Sequence, residues 1–320
     1  VFVKNDKPTK IYFGTDIHGS EKCWKKLVNS GAFYEVEIMI LGGDITGKGI
    51  QTLLEYKPGH WKTNFLGEEV EVETTEELEK LESRTRSTGF YPYRIKPDEM
   101  EEFTVSEKLR DDIFKELMVE TLNRWLQFAE DKLNGTGRKI IVTAGNDDPL
   151  FIDEMFRQSP VVLMAERQIV QIDDHHEMIN EGYTNRTPWN THRELDEDEL
   201  FKVLEQQISK INNIENAIFN IHAVPYNTKL DEAPLLDENL VPVDGGRTYV
   251  PVGSKGVRKI IEKYQPLLGL HGHIHEGKGS AKIGRTLCLN PGSNYTSGIL
   301  AGYLIFLDKN GIRGFQPTQG

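Results

Sequence analysis

The stretch LLGLHGHIHEGKG, Leu267 to Gly279, sets three histidines, His271, His273 and His275, at every second position after an apolar run. Side chains alternate faces along a strand, so a continuing strand would turn all three to one side. Two imidazoles from one strand end can then reach two neighbouring metal ions. A polar turn is the plainer reading, and the rest of the chain decides.

The same arrangement recurs upstream. KIYFGTDIHG holds a short strand at Ile11 to Phe13, then Asp16 and His18. VEIMILGGD holds one at Ile38 to Leu41, then Gly42, Gly43 and Asp44. RKIIVTAGNDD holds one at Ile140 to Thr143, then Gly145, Asn146, Asp147 and Asp148. NAIFNIHAVP holds one at Ala217 to Ile221, then His222. TLCLNPGS and YLIFLD add two further strands. Helical patterns lie between. From about Ser106 to Leu133 the apolar positions Leu109, Ile113, Leu117, Leu122, Trp125, Leu126, Ala129 and Leu133 step by three or four and form one stripe. Two more helices are expected at about Asp196 to Ile211 and Lys255 to Tyr264. Strands alternating with helices indicate an α/β core.

One segment breaks the rhythm. From about Lys48 to Val105 the chain is polar, with the acidic run GEEVEVETTEELEKLE and then GFYPYRI. It is too long for an ordinary loop. It reads as an insertion near the active-site edge, folded as a hairpin plus a short helix, within a single domain over residues 1–320. Arg84, Arg86 and Arg94 in it could meet a phosphate or pair with its glutamates.

Bulk properties narrow the function. The formal net charge of -12 repels polyanions at long range, so nucleic acid is an unfavoured partner. Cys23 and Cys288 have no CxxC spacing, which points to a reducing compartment, the cytoplasm. The first residues carry no basic-then-apolar leader pattern, and no run approaches the ~18 apolar residues of a membrane span.

Open α/β sheets hold ligands at the carboxyl ends of their strands, so the groups after the five strands can converge. Their histidines, carboxylates and one amide oxygen exceed the needs of one four-coordinate ion. They suit two divalent ions such as Mn, Fe, Co or Zn, with one carboxylate as a bridge. Two such ions clamp a phosphoryl group and activate a water between them.

TDIHG, LGGD, AGNDD, NIH and HGHIH together resemble the calcineurin-like metallophosphoesterases, whose pattern is DxH, GD, GNH, H and GHxH. The resemblance runs from about Ile11 to Tyr303, apart from the insertion. HAVPYNTKLDEAP, KYQPLLGLHGHIHE and LNPGSNY are similar to a prokaryotic, phosphodiesterase-like branch. The resemblance implies a four-layer α/β/β/α sandwich with two packed mixed sheets. It implies that Asp16, His18 and His275 hold a first ion, that Asn146, His222 and His273 hold a second, and that Asp44 bridges them. The reaction implied is hydrolysis of a small phosphate ester by a metal-bridging hydroxide. His271 has no role in the pattern and is expected to be a packed or hydrogen-bonded residue.

The chain departs from the pattern at GNH, which is GND here. Asp147 stands where the family histidine assists the leaving group, and Asp148 follows it; both are candidate catalytic residues. An aspartate beside two dications is a poor proton donor, which biases the expectation toward phosphodiesters. Arg186 and Trp189, around the TPW turn, are candidate substrate contacts. The cluster DDHHE, Asp173 to Glu177, is expected to be a hairpin turn. Two competing functions are a metal-free protein-binding scaffold on the same fold and a nuclease for small oligonucleotides.

Overall fold

The computed structural model describes residues 8–320. The first residues, read above for a leader pattern, lie partly outside that range. The first mixed sheet has the strand order Gly311–Gln319, Ala301–Asp308, Thr9–Gly14, Ile38–Leu41, Lys139–Val142, Val162–Met164. Its last four strands run parallel, and its first two pair antiparallel. The second sheet has the order Gly279–Ile283, Thr286–Asn290, Leu268–Leu270, Ile218–Ile221, Glu177–Glu181, Ile169–Gln171. Its four central strands are parallel and both edges are antiparallel.

Alternation along the strands explains why two sheets and four layers form. Ile11 and Phe13, with Ile38, Ile40 and Ile141, pack against Met178, Ile218, Leu268 and Leu270 of the other sheet. The neighbours Tyr12, Met39, Ile140 and Val142 face outward. They pack under the helices Glu21–Phe33 and Glu107–Leu133 through Trp24, Leu27, Leu122 and Trp125. On the far side, Ile179, Phe219 and Ile221 meet the helices Glu197–Ile208 and Lys255–Tyr264. The central parallel strands are buried on both faces, so their sequences are near-continuous apolar runs, while the edge strand Val162–Met164 exposes Leu163. The four-layer sandwich expected from the sequence is the fold observed.

Ser106, Asp196 and Ser254 precede the three expected helices, and Ser106 and Ser254 cap theirs through side-chain oxygens. The helix Glu21–Phe33, capped by Ser20, was not anticipated. Asp173–Glu177 does turn a hairpin between Ile169–Gln171 and Glu177–Glu181.

The segment after Asp44 is more than a hairpin and a helix. It builds a four-stranded sheet, in the order Glu68–Val72, His60–Phe65, Gly49–Lys57, Phe90–Ile95, with helices Thr75–Ser87 and Pro97–Val105. The acidic run divides into a strand and a helix because Thr74 and Glu77 form a capping box between them. Leu53, Val72, Leu78 and Leu81 give the unit a small core of its own. Its arginines are already engaged: Arg84 stacks over Phe65, Arg94 pairs with Glu82, and Arg86 pairs with Glu82 and, more closely, with Glu21 of the main body. The unit is stitched to the main body where Ser20 Oγ donates to Ser87 O (2.7 Å) and Gly47 N donates to Tyr91 Oη (2.8 Å).

Candidate metal centre

The loops that leave the strand ends are tied to one another. Asp16 N donates to Gly43 O (3.0 Å), and His18 N donates to Asp44 O (2.9 Å). His273 N donates to the Asp16 carboxylate at 3.0 and 3.2 Å. These bonds hold Asp16, His18, Asp44 and His273 at φ of 53°, 38°, 49° and 67°, in the left-handed region that side chains normally avoid. Two glycines are required by close approach. A Cβ on Gly43, itself at φ 117°, would lie 2.4 Å from His222 Nδ1, and one on Gly145 would lie 2.2 Å from Asp44 Oδ1.

Three groups of potential ligand atoms result, two of them without a shared member. Asp16, His18 and His275 bring theirs within 4.8 Å of one another, and so do Asp44, His222 and His273; the third, His18, Asp44 and Asp147, overlaps both. His18 Nε2 and His275 Nε2 are 2.9 Å apart, near the spacing of two ring nitrogens that share one ion at ~2.1 Å. Asp44 Oδ2 lies 3.5 Å from His18 Nε2 and 3.3 Å from His222 Nε2, between the two groups.

Donor chemistry fits metal ions. His222 Nδ1 donates to Gly42 O (2.8 Å), which orients the ring and leaves Nε2 buried with no hydrogen-bond partner, its nearest charge being Asp44 Oδ2 at 3.3 Å. Asn146 Nδ2 donates to Thr191 Oγ1 (2.9 Å) and Asp147 Oδ1 (3.1 Å), so its buried Oδ1 has no partner either. Such orphaned atoms are costly unless something binds them. Burial, the main cause, takes His18 down to about 3 and His273 to about 4, so both are the neutral imidazoles that metals require. Burial opposes the charge on His222 too, but the Asp44 and Asp16 carboxylates prevail and raise it to about 10.

No family model matches the chain. The uncharacterized protein MJ1162 of Methanocaldococcus jannaschii is 33% identical over 156 residues, which is 48% of this chain and 63% of that protein. One solved crystal structure is similar at a TM-score of 0.55 and 18% identity, over 98% of this chain and 99% of that one. A structure described as a novel archaeal phosphodiesterase is similar at a TM-score of 0.38 and 13% identity, over 98% of this chain and 100% of that one.

The likeness at a TM-score of 0.55 and 18% identity shows the fold alone, the four-layer sandwich described above.

Asp147, where the sequence departs from the expected motif, sits at the rim, with its side chain 21% exposed. Its Oδ2 is 3.2 Å from Lys48 Nζ and 3.7 Å from His18 Nδ1, and its backbone N–H donates to Asp44 Oδ1 (3.0 Å). Burial, then the Asp44 charge, push its carboxyl up to about 6 while Lys48 pulls the other way. Asp148 is placed differently from a reacting group. It is fully buried, and both its oxygens accept from Ile45 N, Thr46 N, Thr46 Oγ1 or Gly145 N. That arrangement braces the Asp44 loop against the Asn146 loop.

The TPW loop approaches the centre through Thr191, the partner of Asn146. Arg186 pairs with Asp196 and is half exposed, and Trp189 is exposed. The opening strand ends at Leu270, so strict alternation stops there. His271 is turned inward, with Nδ1 3.0 Å from both Ile221 O and Ala223 O, while His273 and His275 belong to different groups.

Sequence reasoning gave no role to Lys48 or Tyr295. The Tyr295 ring packs on His18, with centroids 4.8 Å apart, and on His275 at 5.9 Å. The conspicuous signal for Tyr295 was LNPGSNY; Lys48 had none beyond its place four residues after Asp44.

Proposed function

We propose that the chain is a metal-dependent phosphoesterase that uses two divalent ions and acts on small phosphodiesters. The observation that carries this is the Asp44 carboxylate lying between His18 Nε2 and His222 Nε2, together with two buried ligand-type atoms that lack a hydrogen-bond partner, His222 Nε2 and Asn146 Oδ1. Asp16, His18 and His275 would hold one ion, Asn146, His222 and His273 the other, and Asp44 both. When bound, such ions supply Lewis acidity toward the phosphoryl group and a water acidic enough to act near neutral pH.

The chain's own residues set the bias. Asp147 places a carboxylate where the family pattern has a histidine, so its charge opposes a dianionic monoester more than a monoanionic diester. Leaving groups then depart with less proton assistance, which favours diesters with good leaving groups. The acidic balance of the chain supports a small ester over a polynucleotide. Both cysteines are free and buried, which supports a cytoplasmic location. Among the described residues no helix is long and apolar enough to cross a membrane.

The test is a matched pair of aryl phosphate esters, mono and di, assayed with Mn, Fe, Co and Zn. The diester should be preferred about tenfold or more, a barrier difference of about 1.4 kcal/mol. Asp147→His should narrow that ratio. A purified protein that binds no metal and hydrolyses neither ester would favour the scaffold reading instead.

A further inference from the structure

The side-chain exposures show where a substrate must enter. Asp16, His18, Asp44 and His222 are between 0% and 3% exposed, whereas His275 is 27%, Asp147 21% and Lys48 45% exposed. The centre therefore opens on the side of its half-buried or exposed members, Lys48, Asp147, His273 and His275, and Tyr295 flanks the same opening against His18 and His275.

Lys48 is the cation at that mouth. It is fixed at its root, because Gly47 N donates to Tyr91 Oη and a Cβ on Gly47 would lie 2.5 Å from Gly89 O. It is aimed at its tip, because Asp147 Oδ2 lies 3.2 Å from Nζ. Asp147 is itself held, by its N–H on Asp44 Oδ1 and by Asn146 Nδ2 on its Oδ1. An ammonium has three donors, and a contact to one carboxylate oxygen leaves others for an anion. In a chain of net charge -12, an aimed cation beside a phosphate-ester site has a specific use.

We propose that Lys48 is a catalytic residue whose ammonium donates to a non-bridging oxygen of the scissile phosphate, and that Asp147 is the positioning residue that aims it. This rests on the phosphoesterase reading above. The step balances without proton transfer from Lys48. The bond from water oxygen to phosphorus forms as that water releases a proton to solvent, the ester P–O bond breaks, and the departing oxygen takes a proton from solvent. Lys48 keeps its own and offsets charge on the phosphoryl oxygens. The GND departure then has a physical sense: the cationic or donating group at this edge comes from the chain after Asp44 and not from the position after Asn146.

The experiment measures orthophosphate binding to the manganese-loaded protein by calorimetry, beside kcat/KM for the aryl diester and metal content by elemental analysis. Lys48→Met should weaken phosphate binding about tenfold or more, the scale of a hydrogen bond to a charged group, with metal content and melting temperature unchanged. Lys48→Arg should restore part of it. Unchanged phosphate affinity in Lys48→Met overturns the proposal. If Lys48→Met does not fold, Lys48→Arg and Lys48→Gln decide: Gln should lose more affinity than Arg, and equal values refute the role of the charge. Asp147→Asn is measured in the wild-type and Lys48→Met backgrounds. Its effect should differ between them by more than about threefold, because residues that act through one another are not additive; additive effects overturn the positioning role. A wild-type protein that turns over no ester overturns the activity reading alone, and phosphate binding still decides the part played by Lys48.

Discussion

Asp44→Asn is the sharpest test of the centre, because it removes one charge and leaves the shape. The carboxylate has two separate tasks. Oδ1 accepts from Asp147 N at 3.0 Å, and Oδ2 lies 3.3 and 3.5 Å from the ring nitrogens of His222 and His18. An amide has one oxygen for both. Either its NH2 faces the Asp147 N–H, which leaves a buried donor unsatisfied at about 1–3 kcal/mol, or its NH2 faces the ions and ligation is lost. The missing charge adds to this. At ~4 Å and an effective dielectric of ~20 each unit-charge pair is worth about 4 kcal/mol before screening. After screening, each ion should bind about a hundredfold more weakly, about 2.7 kcal/mol per ion. Calorimetric metal titration, with elemental analysis after dialysis, reads the result. His18→Ala is the control and should lose mainly one ion. Retention of both ions by Asp44→Asn, or loss of only one, would refute a bridging carboxylate.

Three further outcomes are expected. Gly43→Ala should weaken the ion held by His222 and lower stability by about 1–3 kcal/mol, because the new Cβ meets His222 Nδ1 at 2.4 Å and φ is 117°; wild-type metal content and melting temperature would count against it. Chelation should lower the melting temperature, since ligand at a hundred times its Kd stabilises by about 2.7 kcal/mol, and Asp44→Asn should show much less of this difference. Burial, then the Glu181 charge, raise the Glu166 carboxyl to about 8 from 4.5. The folded state thus holds that proton more tightly than the unfolded chain, and stability falls as pH rises from about 4.5 toward 8. Glu166→Gln lacks that loss, so its stability relative to wild type should rise between pH 5 and pH 8 by at least about 1.4 kcal/mol, the worth of one pKa unit; parallel pH profiles would refute it.

The fold was legible where local chemistry and periodicity agreed. Ile38 to Leu41 and Ala217 to Ile221 are short, mostly apolar runs with a ligand-type residue within three positions of their ends, Asp44 and His222, and local chemistry there favours a buried parallel strand. The insertion was only half legible. Its strand Gly49–Lys57 pairs in parallel with Phe90–Ile95 some forty residues on, and no local pattern announces a pairing that distant. Period-two reasoning at His271 to His275 assumed a strand that stops at Leu270; past that point the backbone at His273, φ 67°, decides where the rings go. Lys48 was illegible because a single lysine after a glycine is common, and its meaning comes only from a carboxylate about a hundred residues away in sequence.

Backbone strain gives an indication of the centre that does not depend on any motif. Thirteen non-glycine residues among those described have positive φ. Most lie at exposed turns, such as Glu35, Leu66, Asn190 and Leu240, where solvent and a short local loop account for them. Only Asp16, His18 and Asp44 are fully buried. A buried left-handed residue costs about 1–3 kcal/mol, and glycine would remove that cost. Three such positions side by side, held by hydrogen bonds between loops and not within them, mean that the side chains are worth more than the relief. Two carboxylates and an imidazole turned toward one point are costly together as well, because burial and mutual repulsion oppose them. Both costs fall on the same residues, and cations bound among them would offset the second while the loop ladder sustains the first. Strain and charge therefore converge on Asp16, His18 and Asp44 by separate physical routes, and the ladder from Gly43 O and Asp44 O fixes the geometry before any ion arrives.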